Sequence, residues 1–187
     1  MARSDELFRE LAALLPPEDT ATVTQDMWGI GECENAISEL CLRLVQHRIP
    51  ITESTRGWIA ALAERHGYWE YTGPDNVPEL LPECVTADEQ DAPWTLIERT
   101  RRGFALTEQI KDAVGPGHPL HDAVDLAAWY ACHRCGDVLV GLYDRERFLA
   151  VFAPQFAIVR SSNEVSTFES IFDALDALTE NCAPAKR

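Results

Sequence analysis

A chain of 187 residues that is 46% hydrophobic and 25% charged has the makeup of a packed protein of one large domain or two small ones, which excludes disorder along its whole length. Its 31 Asp and Glu against 16 Lys and Arg leave a formal net charge of -15, a balance that phosphate backbones and anionic lipid repel, so neither a nucleic-acid nor a membrane partner is expected. No apolar run approaches the ~20 residues that span a bilayer. The N-terminal residues Met-Ala-Arg-Ser-Asp-Glu-Leu-Phe lack the basic start and apolar stretch of a signal peptide, so a cytoplasmic protein is expected.

In chain order, Ser4 is placed to cap a short helix whose apolar positions Leu7, Phe8, Leu11, Leu14 and Leu15 follow helical spacing, and Pro16-Pro17 ends it. A polar, Thr-rich stretch follows. A second helix is expected from about Gly31, with Cys33, Ile37, Leu40, Cys41, Leu44 and Val45 on one stripe and Glu32, Glu34, Glu39 and Arg43 mostly outside it. Ile49-Pro50 turns the chain. Thr52 then caps a third helix with Trp58, Ile59, Leu62 and Ala63 on its apolar face and Gly67 as its C-terminal cap, an antiparallel partner for the second. Farther on, Leu106, Ile110 and Val114 give a helix closed by Gly115-Pro116-Gly117, which the piece from Trp94 to Arg102 extends unless Gly103 interrupts it.

The period then changes to two. Val124, Leu126, Ala128, Tyr130 and Cys132 alternate with their neighbours as in a strand. Val138 to Tyr143 and Phe148 to Phe152 add two strands around a polar hairpin at residues 144–147, and Phe156 to Arg160 a fourth. Ser166 and Glu169 form a capping box opening a final helix with Phe168, Ile171, Phe172, Leu175 and Leu178 on one face. The expected fold is α+β: an N-terminal helical hairpin or bundle over residues 1–68, an acidic Pro-rich connecting segment over 69–98, and over 99–187 an antiparallel β-meander with flanking helices.

Charge is distributed unevenly over those parts. Residues 1–68 hold 11 acids and 6 bases and residues 99–187 hold 12 and 10, whereas residues 69–98 hold 8 acids and no base. Such a stretch is either a solvated linker or a surface made for a basic partner, with aromatic anchors inside a ring of charge. Val77, Leu80, Leu81 and Val85 argue that part of it packs. The candidate partner-binding residues are Glu32 and Glu34 at the start of the second helix, and Trp69, Glu70, Tyr71, Asp75, Glu79, Glu83, Asp88, Glu89, Asp91 and Trp94 in the acidic segment.

Catalytic signatures are missing from the sequence. It has no nucleophile elbow, phosphate loop, HExxH helix or dinucleotide fingerprint, so no enzyme activity, catalytic residue or cofactor is expected. Cys33 and Cys41 fall on the apolar stripe, and Cys84 and Cys182 have no partner by spacing. Cys132-x-x-Cys135 joins two strands, where a thioredoxin-like redox site would open a helix. With His118-x-x-His121 it makes a possible tetrahedral zinc set, and hence a rival reading as a zinc-stabilised adaptor or regulatory module. Pro119 restricts the His pair, and burial by alternation already accounts for Cys132, so metal binding is not the favoured reading.

The stretch from Trp28-Gly-Ile-Gly-Glu-Cys-Glu-Asn-Ala-Ile-Ser-Glu-Leu-Cys through Ile49-Pro-Ile-Thr, Trp58-Ile-Ala-Ala-Leu and Gly67 resembles the MafI-type immunity proteins and related small helical immunity modules of polymorphic toxin systems. Gly31, Glu32, Ala36, Ile37, Leu40, Cys41, Ile49 and Ile51 fall on that family's pattern. The resemblance covers about forty residues, and nothing in it extends to residues 69–187. It implies a stoichiometric antidote that binds and neutralises a toxin, often a nuclease. The charge pattern agrees, because a nuclease presents a basic, phosphate-reading cleft that dense carboxylates can fill. The expected partner is a cognate toxin protein with a basic surface.

Overall fold

Apolar residues recur at helical spacing before Trp94 and alternate after Val124, and the chain divides accordingly into two units, Met1–Ala92 and Pro93–Arg187. The computed structural model describes residues 2–66, 77–87, 94–97, 101–122, 125–143 and 156–182. The fold is α+β, as expected.

In the first unit, helix α1 (Ala2–Ala12) buries Phe8, Leu11 and Ala12. Ser4 lies inside this helix and is buried, so it does not cap it. The proline pair then opens a helix as well as closing one, because Pro17 sits at the first position of α2 (Pro17–Ala21), where its missing N–H is no loss. The Thr-rich stretch is also helical, contrary to its polar composition. Thr20, Thr22 and Thr24 each donate a hydroxyl to the carbonyl four residues earlier, at 3.0, 3.1 and 2.6 Å, which replaces hydrogen bonds with water. The chain widens into a π-helical turn at Thr22–Met27 and tightens into a 3-10 turn at Trp28–Ile30. It exits through Gly31 at φ +92°, a left-handed conformation that favours glycine.

Helix α3 (Cys33–Gln46) buries Ala36, Ile37, Leu40, Cys41 and Leu44. Asp19 of α2, only 8% exposed, accepts from the Arg43 guanidinium at 3.1 Å and meets His47 Nε2 at 2.6 Å, fastening the start of the unit to the end of α3. Thr52 caps α4 (Glu53–Arg65), its hydroxyl accepting from Thr55 N–H at 3.0 Å. The expected cap at Gly67 lies outside the described residues.

Residues 77–87 pack onto this bundle. Short helix α5 (Val77–Leu80) and the 3-10 turn Leu81–Glu83 bury Val77, Leu80 and Leu81, and α5 touches both α3 and α4. Ile51 exchanges backbone hydrogen bonds with Val85 and Ala87, each at 2.8 Å, and Arg56 reaches the Cys84 carbonyl and the Thr86 hydroxyl, each at 3.0 Å. The division between units therefore falls inside the expected connecting segment, and residues 77–87 belong to the first unit.

The second unit holds a five-stranded antiparallel sheet in chain order: β1 (Trp94–Leu96), β2 (Asp125–Cys132), β3 (Val138–Tyr143), β4 (Phe156–Val159) and β5 (Val165–Phe168). Trp94 thus opens a strand paired with β2, not a helix, and α6 (Arg101–Val114) includes Gly103. A bulge resets the alternation in β2: Ala128 lies opposite Val140 while Tyr130 lies opposite Leu139, with Trp129 as the extra residue. The expected box at Ser166 and Glu169 does not form, because Ser166 pairs with Ile158 in the sheet and α8 (Ile171–Cys182) starts later. Val138, Val140, Ala157 and Val159 pack with Ile97, Ile110 and Leu120, while α8 lies against β3, β4 and β5. The expected hairpin at 144–147 and strand at 148–152 lie outside the described residues. Among the described residues no helix is long and apolar enough to cross a membrane.

The Trp28 indole stacks on Phe8 at 4.1 Å with planes 8° apart, and its Nε1–H donates to Asp5 at 2.9 Å. Trp28→Ala is predicted to cost about 3–5 kcal/mol in urea unfolding, and Trp28→Phe, which keeps the stack and loses the hydrogen bond, about 1–2 kcal/mol. Equal losses for the two variants, or a loss under about 1 kcal/mol for alanine, would contradict this packing.

Candidate functional site

Carboxylates concentrate in the first unit. It carries 18 Asp and Glu against 6 Lys and Arg, net -12, while the second unit carries 13 against 10, net -3. Two of the six bases are held internally: Arg43 by Glu39 at 2.6 Å and Asp19 at 3.1 Å, and Arg56 by Glu53 at 3.0 Å. A third, Arg3, lies over the Trp58 ring, 5.6 Å from its centroid. The field of the unit is therefore strongly negative.

Of the residues singled out from sequence, Glu32 and Glu34 are exposed and lie together where the Gly31 turn feeds α3. Glu32 Oε2 accepts from Asn35 Nδ2 at 3.0 Å. With Gly31, Cys33, Asn35 and His66 they line a concavity of about 410 Å³. Glu79 on α5 and Glu83 on the following turn are exposed on the segment that packs against α3 and α4 through its apolar side. Trp69, Glu70, Tyr71, Asp75, Asp88, Glu89 and Asp91 lie outside the described residues.

Trp94 is a correction. It is 1% exposed, its ring meets Tyr130 edge-on at 5.2 Å, and its Nε1–H donates to the Thr179 hydroxyl at 3.0 Å. Strand pairing turns the indole inward, so it belongs to the core of the second unit and offers no surface anchor.

Sequence spacing does not single out His66, since a histidine at the end of a helix ordinarily complements the dipole there. Instead its ring meets Trp28 edge-on at 5.1 Å, and its buried Nε2 has no hydrogen-bond partner among the described residues. Burial, and then the charge of Arg65, push its pKa below the usual histidine value, against the opposing pull of Glu34 and Asp5. His66 is therefore neutral at neutral pH. Burial likewise raises the Cys41 thiol well above its ordinary value and the Cys84 thiol above it, which leaves neither as a nucleophile. A second groove, of about 480 Å³, is lined by Leu7, Leu11, Leu14 and Trp58 together with Arg3, Glu6 and Glu10, and Leu14 is 42% exposed.

His118, His121, Cys132 and Cys135 are not brought together. Among the described residues no three His, Cys, Asp or Glu side chains lie close enough to share a metal ion. The His118 Nδ1 is occupied by Leu120 N–H at 3.1 Å. No protein-family model, curated protein or solved structure matches the chain.

Because the folded pKa of His66 is depressed, the unfolded chain takes up this proton first as pH falls. The resulting loss of stability begins near the unfolded value of about 6.5 and is complete once pH drops below the folded pKa. His66→Gln removes that component, so its stability is predicted to fall less than that of the wild type between roughly pH 7 and pH 5. Identical slopes in urea unfolding would contradict the burial assigned to His66.

Proposed function

We propose that this protein is an immunity protein, a cytoplasmic antidote that binds a cognate bacterial toxin with a basic surface, such as a nuclease, and blocks it stoichiometrically. The observation that carries this reading is the placement of charge: a net -12 in the first unit against -3 in the second, with exposed carboxylates on α3, α5 and the turn after α5. The resemblance of residues 28–67 to MafI-type immunity proteins falls in the same unit.

Opposite charge draws the two proteins together, and association at low salt can then reach about 10⁸–10⁹ M⁻¹s⁻¹. That speed suits an antidote, which must reach its toxin before the toxin reaches its substrate. Charge alone gives little residence time, which comes from desolvated apolar contact. Leu7, Leu14 and Trp58 supply apolar surface in a groove that Glu6, Glu10 and Arg3 also line.

Co-expression with the toxic product of the neighbouring gene is predicted to restore growth, and the two proteins should co-purify one to one. Reversing Glu32, Glu34, Glu79 and Glu83 to Lys should slow association at low salt by roughly 10- to 100-fold with the melting temperature nearly unchanged. Full toxicity with no complex would end the antidote reading. Rescue with an unchanged association rate in the reversed variant would move the interface elsewhere.

A further inference from the structure

Among the described residues three large apolar side chains are exposed: Leu14 at 42%, Val85 at 45% and Ile30 at 68%. A single exposed apolar residue is ordinary on a protein surface. What sets Ile30 apart is how firmly the backbone on either side of it is held. It ends the 3-10 turn Trp28–Ile30. At the start of that turn Trp28 N–H donates to the Val23 and Thr24 carbonyls, and its buried indole stacks on Phe8. Beyond Ile30, Gly31 N–H returns to the Trp28 carbonyl at 3.1 Å and Glu32 N–H to the Met27 carbonyl at 3.0 Å. Gly29 passes so near the Thr24 carbonyl that a Cβ there would lie 3.2 Å from its oxygen. The Ile30 side chain is itself β-branched and stiff at χ1, so burying it against a partner costs little rotamer freedom.

The charge around this turn has one sign along the chain. Residues 10–42 hold seven acids and no Lys or Arg. Of these acids, Asp26, Glu32 and Glu34 are exposed and stand within four residues of Ile30. Glu32 and Glu34 line the concavity of about 410 Å³ that begins at Gly31, the residue after Ile30, and neither Lys nor Arg lines it. An exposed aliphatic side chain followed directly by a concave acidic surface is complementary to an apolar pocket with Lys or Arg beside it. The isoleucine fills the pocket, and the cations meet the carboxylates in the concavity. A wholly apolar partner would desolvate those carboxylates without pairing them, and an acidic one would be repelled.

We propose that Ile30 is the apolar anchor of the interface, entering a hydrophobic pocket on the toxin that is bordered by Lys or Arg, an assignment that rests on the antidote reading. Glu32 and Glu34 then set the speed of approach, while Ile30 sets how long the complex lasts.

The test measures dissociation of the full chain from the toxic product of the neighbouring gene by surface plasmon resonance. Ile30→Ala is predicted to dissociate roughly 10- to 100-fold faster than the wild type, with association rate and melting temperature close to unchanged. Ile30→Val should bring dissociation back to within about threefold of the wild type. Val85→Ala, which trims an exposed side chain elsewhere in the same unit, should leave it unaltered. A dissociation rate for Ile30→Ala within about twofold of the wild type, an equal acceleration in Val85→Ala, or a lowered melting temperature in Ile30→Ala would overturn the anchor while the complex itself upholds the antidote reading. Absence of any complex with the unaltered protein would remove both, so the two failures are told apart.

Discussion

The packing of Trp28 governs the first unit. Its indole lies flat on Phe8 and bonds Asp5, both on α1, and meets the edge of His66 at the end of α4, while its own backbone begins the turn that Gly31 hands on to α3. One residue therefore joins α1 and the end of α4 through its side chain and leads to α3 through its backbone. The concavity holding Glu32 and Glu34 opens beside it, on the chain that leaves this junction. Without the indole, His66 would lose the ring that it meets edge-on and Phe8 the ring that it stacks on.

A unit with net charge -12 also repels itself, and internal pairing offsets part of that cost. Among the described residues Asp19 is the most buried carboxylate of the unit and takes two partners, Arg43 and His47; Glu39 and Glu53 hold Arg43 and Arg56. These pairs serve the fold, and they withdraw cations from the surface. What remains outward is mostly acid. The same arrangement that stabilises the bundle thus leaves a field able to steer a basic protein from a distance, within the roughly 8 Å screening length of physiological salt.

How much of this the sequence discloses depends on how local each cause is. Helices α3 and α4 are legible because their apolar stripes and the Thr52 cap lie within the elements themselves. The helical path from Thr20 to Thr24 is not, since it rests on hydroxyl-to-carbonyl bonds that composition does not disclose. Strand β1 is three residues long and owes its existence to β2, far along the chain, so Trp94 could not be told from an exposed aromatic. Ser166 and Glu169 have the spacing of a capping box, but pairing with β4 claims Ser166 first. In the candidate site, Glu32 and Glu34 follow from their place at a helix start, whereas the approach of His66 to Trp28 is a tertiary event with no periodic signal.

The proposed antidote function requires a long-range field, carried by the first unit, that brings the toxin in. It is tested most directly by stopped-flow measurement of the association rate between this protein and the toxin across ionic strengths. Electrostatic steering predicts a steep fall in the association rate as salt rises, with a dissociation rate that changes little. An association rate independent of salt, with affinity intact, would contradict the account and place recognition in apolar contact alone.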